Sequence, residues 1–512
     1  MLKKTSINEP IPAITTDLQQ NVDYLNRLLG VGQGPGHSWD IMAKPFTYGG
    51  LQMMSYVLNG YFLTMNVVLV LDDVEKQIQT FLGTHQGRSY TMQELVDHLN
   101  TRVNFVQVQP VTTMQDAVRF ILSGPLVTFI EGIDQALLID TRIYPMRGIS
   151  EPEVERVIRG PRDGFVETML MNVALIRRRL RDPTMRTELM QIGNRSKTDV
   201  TLMYLEGVAD PGLINEIRKK LQSIEVDAIS MAEQSVTDLM GGVKWNPYPI
   251  VRFTERPDIA SRALLEGQVV VVVDTTPEVI IAPVSLFQLM QSAEEYHSYP
   301  LVGTYMRWVV IASSLLSVFL PGLFLLINFH PGSVPKELSF FRADTSDPLP
   351  LWVQLVLAEI ALDVLRLAVL NTPSTLASMV SIVSAIIFGQ FATQAHLLQP
   401  EVLLYMAFVL VMQFAQPSYE LATAHQMSRL WILGCTQLAY EIPLIPSWIG
   451  FLFACLAWFV FLATRRSFGV PYLWPLIPFR WQGGMSDILL RKPAAEQSTG
   501  PKISRSKAGN RG

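Results

Sequence analysis

Hydrophobic and polar positions follow two regimes along this chain, and the change falls near residue 307. Before it, charged residues interrupt the apolar ones at short intervals, as in a domain whose elements each keep one face in water. Beyond it come long uncharged runs. Trp308–Phe329 holds 22 residues without a charge, enough for a helix to cross about 30 Å of hydrocarbon. Pro321 and Gly322 would kink it, which membrane helices tolerate. Leu376–Ala395 and Val402–Gln416 are also uncharged, and Leu430–Thr464 runs 35 residues with Glu441 as its one charge and Pro443 and Pro446 as breaks. This pattern predicts four membrane spans and allows six.

In the first half the periodicity repeats. Strand-like Gly50–Gly60 has a counterpart in Thr198–Val208, each with a Tyr shortly before a Gly. Pro125–Asp140 resembles Gln268–Pro283: a β-rich run, a turn beside an acid, and a second β-rich run, which is a hairpin signal. Amphipathic stretches at Gly164–Leu180 and Pro211–Ile224 predict helices between them. The offset of about 145 residues between the copies suggests a duplicated α/β lobe; chance agreement of two generic α/β stretches is the alternative. The predicted organisation is an N-terminal extension and linker (1–45), two α/β lobes (46–150 and 151–306), an all-α transmembrane bundle (307–464) and a basic tail (465–512).

Composition sharpens this picture. Only 17% of the 512 residues are charged and 49% are hydrophobic, against about a quarter charged in soluble domains. A disordered chain, a disulfide scaffold and a nucleic-acid binder built on excess positive charge are excluded. The N-terminal segment has no continuous apolar stretch, so no signal peptide is expected and the N-terminus is placed in the cytoplasm. From Arg465 the tail holds nine Lys or Arg against two acids, a net +7 within a chain of net −4. A basic segment directly after a span reads as cytoplasmic, or as a contact to anionic lipid. The end of the tail is low-complexity and expected to be disordered.

Several motifs fail. Gly193–Thr198 lacks the glycine spacing of a phosphate-binding loop and is followed by a strand pattern. The glycines of Gly30–Gly36 miss the dinucleotide spacing and read as a flexible linker. The seven histidines form no metal-ligand pair. No enzyme activity, cofactor or metal is expected.

The charges that count lie in the apolar half. Glu359, Asp363 and Arg366 stand at i, i+4 and i+7 and share one helix face. Pairing of Asp363 with Arg366 would leave Glu359 as a net negative charge, which would favour cations in a pore or cavity. A surface helix or a subunit contact is the alternative. On the next span Ser374, Ser378, Ser381 and Ala385 form a small-residue face, for close packing or a hydrated pore. Gln416–Leu421 is either an interfacial turn or an unwound element.

Gly160-Pro-Arg-Asp-Gly-Phe165, Glu167, Asn172 and Leu175–Leu180 look like the opening signature of GerA-type spore germination A subunits. The resemblance continues through Ser196-Lys-Thr198, Thr254-Glu-Arg-Pro-Asp258 and Leu265-Glu-Gly267, and covers about residues 40–490. In the apolar half, Glu359, Asp363, Arg366, Asn371–Ser374, Pro400–Tyr405 and Gln416–Leu421 are most similar to the stage V sporulation branch of the family. Asp274-Thr-Thr-Pro277, Glu294-Glu-Tyr-His297 and Glu266-Gly-Gln268 depart from the family pattern.

The resemblance implies a protein of the spore inner membrane, with a large cytoplasmic N-terminal region and both termini on the core side. It implies a homo-oligomer that conducts or gates ions during germination beside other inner-membrane germination proteins, with monovalent cations and membrane lipid as further partners and no nucleic acid; a non-conducting scaffold or signalling subunit that assembles partner membrane proteins is the alternative. Arg162, Glu167, Arg178, Lys197, Glu255, Arg256 and Asp258 are the motif residues it marks for assembly. Thr254–Asp258 reads as a salt-bridged loop holding lobe to membrane half, and Arg177–Arg179 as cations at a helix C-terminus or a subunit contact.

Overall fold

The computed structural model describes residues 11–48, 50–61, 64–85, 90–103, 107–141, 155, 157–241, 245–330, 332, 342–343, 349–371, 382, 386, 390 and 393–493. They fall into two compact units, one holding residues up to 242 and 253–283, the other 243–252 and 284–498.

The first unit is the duplication. One lobe runs α1 (Leu18–Leu29), β1 (Ile41–Tyr48), β2 (Leu51–Leu58), α2 (Thr64–Thr84), α3 (Met92–Arg102), β3 (Val108–Val111), α4 (Met114–Ile121), β4 (Leu126–Ile130) and β5 (Ala136–Ile139). The other runs α5 (Met169–Arg179), β6 (Met185–Ile192), β7 (Thr198–Leu205), α6 (Pro211–Gln222), α7 (Ala232–Gly241), β8 (Arg252–Thr254), α8 (Pro257–Leu265), β9 (Val269–Val273) and β10 (Val279–Ala282). Their sheets have the orders β1-β2-β4-β5-β3 and β6-β7-β9-β10-β8, the same topology twice.

Period-two alternation gives the central strands β4 and β5 two buried faces. In the first lobe Val127, Phe129, Ala136 and Leu138 face a core completed by Leu18, Val22, Leu25 and Leu29 of α1 and by α4. Leu126, Ile130, Leu137 and Ile139 face a second core with α2 and α3. The lobe is thus a sheet between two helical layers. Residues 18–45, expected as extension and linker, are part of it, because the apolar stripe of α1 closes one core.

The copies also share their polar joints. In the first, Leu18 N donates to the Glu131 carboxylate (2.9 Å) and Gly132 N to Thr16 O (2.8 Å). In the second, Met169 N donates to Asp274 (3.0 Å) and Thr275 N to Glu167 O (2.8 Å). In each case the acid in the β-hairpin turn satisfies a free N–H at the start of the lobe's first helix. Asn21 closes a loop on Thr15 in one copy as Asn172 does on Val166 in the other. Gly60 and Gly207 end equivalent strands with φ of +87° and +84°, a region that side chains disfavour.

The segment expected to be a flexible linker is instead a strap between the lobes. Ser38 forms isolated bridges to Val31 and Thr187. Gly36 N donates to the Glu188 carboxylate (2.7 Å), which also takes Arg218 Nε and Nη2, each at 2.6 Å, and the Tyr204 hydroxyl at 2.5 Å. Burial, and then the hydrogen bond to Glu188, push the pKa of Tyr204 upward. Behind the strap Arg177 donates to Asp40 at 2.8 and 2.9 Å, with both side chains almost wholly buried. Glycines permit the sharp turns, and polar partners then hold them in one conformation.

The second unit contains α9 (Leu286–Leu289), α10 (Ala293–His297), α11 (Pro300–Phe329), α12 (Leu351–Leu370), α13 (Pro400–Phe414), α14 (Tyr419–Glu441), α15 (Ser447–Thr464), the two-stranded β11 (Arg466–Ser467) and β12 (Val470–Pro471), and α16 (Ser486–Leu489). The expected boundaries move here: residues 284–306 and the tail as far as 493 belong to this unit. Leu286 N donates to Tyr472 O, and Arg307 holds the backbone of residues 487–490.

Among the described residues two helices, α11 and α15, are long and apolar enough to cross a membrane. The sequence pattern predicted four. The run Leu430–Thr464 splits at Ile442–Pro446, so its first part belongs to α14, which carries buried polar residues. At 15 residues α13 is an apolar but shorter helix, about 22 Å at 1.5 Å per residue. Most of Leu376–Ala395, with Ser374, Ser378, Ser381 and Ala385, lies outside the described residues. Gln416–Leu421 is a short turn in which Ser418 caps α14 by accepting from Leu421 N at 3.2 Å.

If the Arg177–Asp40 pair fixes the strap, Arg177→Met leaves a buried carboxylate unmatched and lowers the stability of the lobes by about 3–5 kcal/mol. Arg195→Met, on an exposed hairpin turn, changes it by no more than about 0.5 kcal/mol. Denaturant unfolding of the two variants followed by circular dichroism makes the comparison.

Candidate functional site in the helical unit

A helix interior made of Leu, Val and Phe offers a charged group no water, so each buried charge here must find its partner in the protein. Arg429, in the middle of α14, is almost completely buried. Its guanidinium forms an ion pair with Glu359 of α12, with Nε donating at 3.2 Å and Nη2 donating to the other carboxylate oxygen. Nη1 donates to Ser317 O of α11 at 3.0 Å, and Nη2 also meets Gln413 of α13 at 3.4 Å. One side chain thereby joins four helices, using the planar fork that distinguishes Arg from Lys.

Around this pair other polar side chains find partners, although Gln416 Oε1 and His425 Nε2 are buried without one. Gln426, one turn before, donates to Asp363. Asp363 is partly exposed and stands 3.8 Å from Arg366, which lies over the Tyr419 ring at 5.1 Å. Gln416 donates to the Ser317 hydroxyl (3.2 Å), and Ser314 lies 3.2 Å from His425 Nδ1. Beside His425, the Tyr248 hydroxyl meets Ser428 at 2.7 Å and accepts from Trp458 Nε1 at 2.6 Å. Among the described residues no group of three or more His, Cys, Asp or Glu is placed to hold a metal ion.

The structure therefore places Glu359, Asp363 and Arg366 on α12 as the spacing predicted, but corrects the charge balance. Glu359 is not a surplus carboxylate: Arg429 neutralises it, and Asp363 and Arg366 balance each other. Sequence reasoning missed Arg429 because the uncharged run begins one residue after it. Its signal was the spacing of His425, Arg429 and Thr436, polar residues recurring at helical intervals in an apolar context, all three buried.

The motif residues of the first unit do not form one site. Arg256 is buried and donates to Asp258 at 2.8 and 3.1 Å, as the salt-bridged loop predicts. Its remaining bonds run to Glu155 O (3.2 Å) and Pro161 O (3.1 Å), so it closes a loop within the lobes. Glu255 accepts from Phe165 N through its backbone, as Glu167 does from Thr275 N. Arg162, Arg178 and Lys197 are exposed. Of the three arginines at the end of α5, Arg177 ties the lobes together and Arg179 pairs with Asp163 at 2.5 Å.

Residues 32–503 match the family described as Bacillus/Clostridium GerA spore germination protein. The chain belongs to this family. It is 37% identical over 483 residues to stage V sporulation protein AF of Bacillus subtilis (strain 168), covering 93% of each chain. It is 32% identical over 377 residues to spore germination protein KA of the same organism, covering 73% of this chain and 68% of that one. Over 54% of this chain and 98% of the other it is also similar to the N-terminal domain of the A subunit of the Bacillus megaterium spore germinant receptor GerK3, with 26% identity and a TM-score of 0.40. The match to the GerA family spans both units, so the duplicated lobes and the Arg429 bundle lie within one family-wide region.

Arg429→Lys keeps the charge and loses the fork, and three donors on one nitrogen leave at least one of the four contacts unmade. The expected cost to this unit is about 1–3 kcal/mol. Arg366→Lys, on the looser pair, is expected to cost less than about 1 kcal/mol. Thermal unfolding of both variants in the same detergent, beside the parent chain, measures the difference.

Proposed function

We propose that this chain is an oligomeric membrane subunit of a germination complex through which monovalent cations leave the dormant spore, with α12 the helix nearest the ions. The observation that carries the reading is the ionisable face of α12, bearing Glu359, Asp363 and Arg366 inside a unit of apolar helices. Ionisable groups at such depth are costly, and they mark ion paths or counter-charges in membrane proteins. The outward faces support a membrane setting: Leu404, Phe408 and Val411 on α13, and Leu452, Phe453 and Leu456 on α15, are all exposed, the reverse of a helix dissolved in water. In this reading the chain sits in the spore inner membrane with both termini on the core side, beside other germination proteins. The family's sporulation and germination members support that setting. No catalytic role is proposed.

Within one protomer the four charges cancel, which makes this a closed, neutral arrangement. Conduction in the oligomer would use Asp363, the carboxylate that keeps partial access to the outside of the unit, while Glu359 stays with Arg429. The same cancellation favours a second reading, in which the charges are structural and the chain is a scaffold for a conducting partner.

Cation efflux from liposomes separates the two. The ion-path reading expects the reconstituted chain to release potassium, and Asp363→Asn to lower flux or cation-over-anion preference, since pore-lining carboxylates set selectivity for cations. Silence of the parent chain, correctly inserted and assembled, would support the scaffold instead.

A further inference from the structure

Five consecutive residues, Ile477-Pro-Phe-Arg-Trp481, are all exposed although three of them are large and apolar: Ile477 is 36%, Phe479 67% and Trp481 54% exposed. A loop of that composition in water would be expected to fold its aromatics inward, as Tyr472 and Leu473 do just before it. The loop is nevertheless anchored at both ends. Upstream, Tyr472 O accepts from Leu286 N (2.9 Å), and the Ser467 hydroxyl donates to Ile250 O (2.6 Å) while accepting from Val284 N (3.0 Å). Downstream, Arg307 donates to Ile488 O (3.2 Å) and Leu490 O (3.3 Å), and is itself fixed by the buried Glu295 at 2.8 Å. Trp308 Nε1 donates to Leu489 O (2.9 Å), and Arg491 N donates to the Thr304 hydroxyl (3.0 Å).

Those anchors fix where the loop lies. It leaves the C-terminal end of α15 through β11 and β12, and its far end is tied to the first turns of α11. Among the described residues these two helices are the ones long and apolar enough to span. The end of one and the start of the other mark the same face of the bilayer, so the segment that joins them lies at that face. Arg466 and Arg480 are exposed there, and Arg465 lies over the Phe461 ring at 4.2 Å. The one acid of the segment, Asp487, is taken up by Lys492 at 2.7 Å. Aromatic and aliphatic tips beside uncompensated arginines are the composition of a headgroup-level anchor on an anionic leaflet.

We infer that the 477–481 loop is a membrane-surface anchor that seats Phe479 and Trp481 at the headgroup level and binds anionic phospholipid through Arg466 and Arg480. The inference rests on the membrane setting proposed above, and names the surface and the lipid charge it engages.

The test uses the full chain in phosphatidylcholine vesicles carrying a minor fraction of brominated lipid, which quenches nearby tryptophan. The difference in emission between the parent and Trp481→Phe isolates Trp481 from the other tryptophans. That component should be quenched, and more strongly by brominated phosphatidylglycerol than by brominated phosphatidylcholine. Arg466→Gln with Arg480→Gln should remove the preference, which is expected to be about fivefold per arginine. If the remaining tryptophans are quenched and the Trp481 component is not, the loop stands off the bilayer and the inference falls while the membrane setting holds. Equal quenching by both lipids, unchanged in the arginine variant, overturns the anionic preference. If no tryptophan is quenched in protein mixed with the vesicles after detergent removal, the membrane setting falls and takes this inference with it.

Discussion

A guanidinium carried into the middle of an apolar helix bundle must be matched by an opposite charge and by acceptors for its N–H groups, or the helices do not close around it. Arg429 meets that demand by drawing Glu359 from α12, Ser317 O from α11 and Gln413 from α13. Dispersion between leucines and phenylalanines holds these helices together without directing how they pair. The directional part comes from this one side chain. It fixes which face of α12 points inward, and so which of its three charges stays near the edge.

The same logic governs the lobes. Two sheets of the same strand order would tolerate many relative placements if only apolar surface joined them. A buried Arg177–Asp40 pair, and a glycine-bearing strap bonded to Glu188, select one. Each lobe also reuses one device, an acid in the β4–β5 or β9–β10 turn that satisfies the N-terminus of the lobe's first helix. In both units, apolar burial supplies the affinity and a few buried ion pairs supply the register.

Much of this was legible in the chain. The repeat of strand, acid-bearing hairpin and helix at an offset near 145 predicted the duplicated lobe, since period-two and helical patterns survive where residue identity does not. The spacing of Glu359, Asp363 and Arg366 placed them on one helix. What was not legible depends on partners distant in sequence. Arg429 is 70 residues from Glu359, and no local pattern couples them, so Glu359 read as surplus charge. The glycines of Gly30–Gly36 look the same whether free or pinned, and Glu188 decides between the two from 152 residues away. The prolines at 443 and 446 announced the division of the long uncharged run; that its first part, within α14, buries Arg429, His425 and several other polar side chains was not legible from the run itself.

Glu359 and Arg429 act as one neutral unit on which the helical packing rests. A double-mutant cycle tests it most directly, with Glu359→Gln, Arg429→Gln and the combined variant unfolded reversibly in mixed micelles. The expected coupling is at least about 2 kcal/mol, the double variant being less damaged than the two single losses summed. A coupling within about 0.5 kcal/mol of zero would mean that the two side chains are independent, and would contradict it.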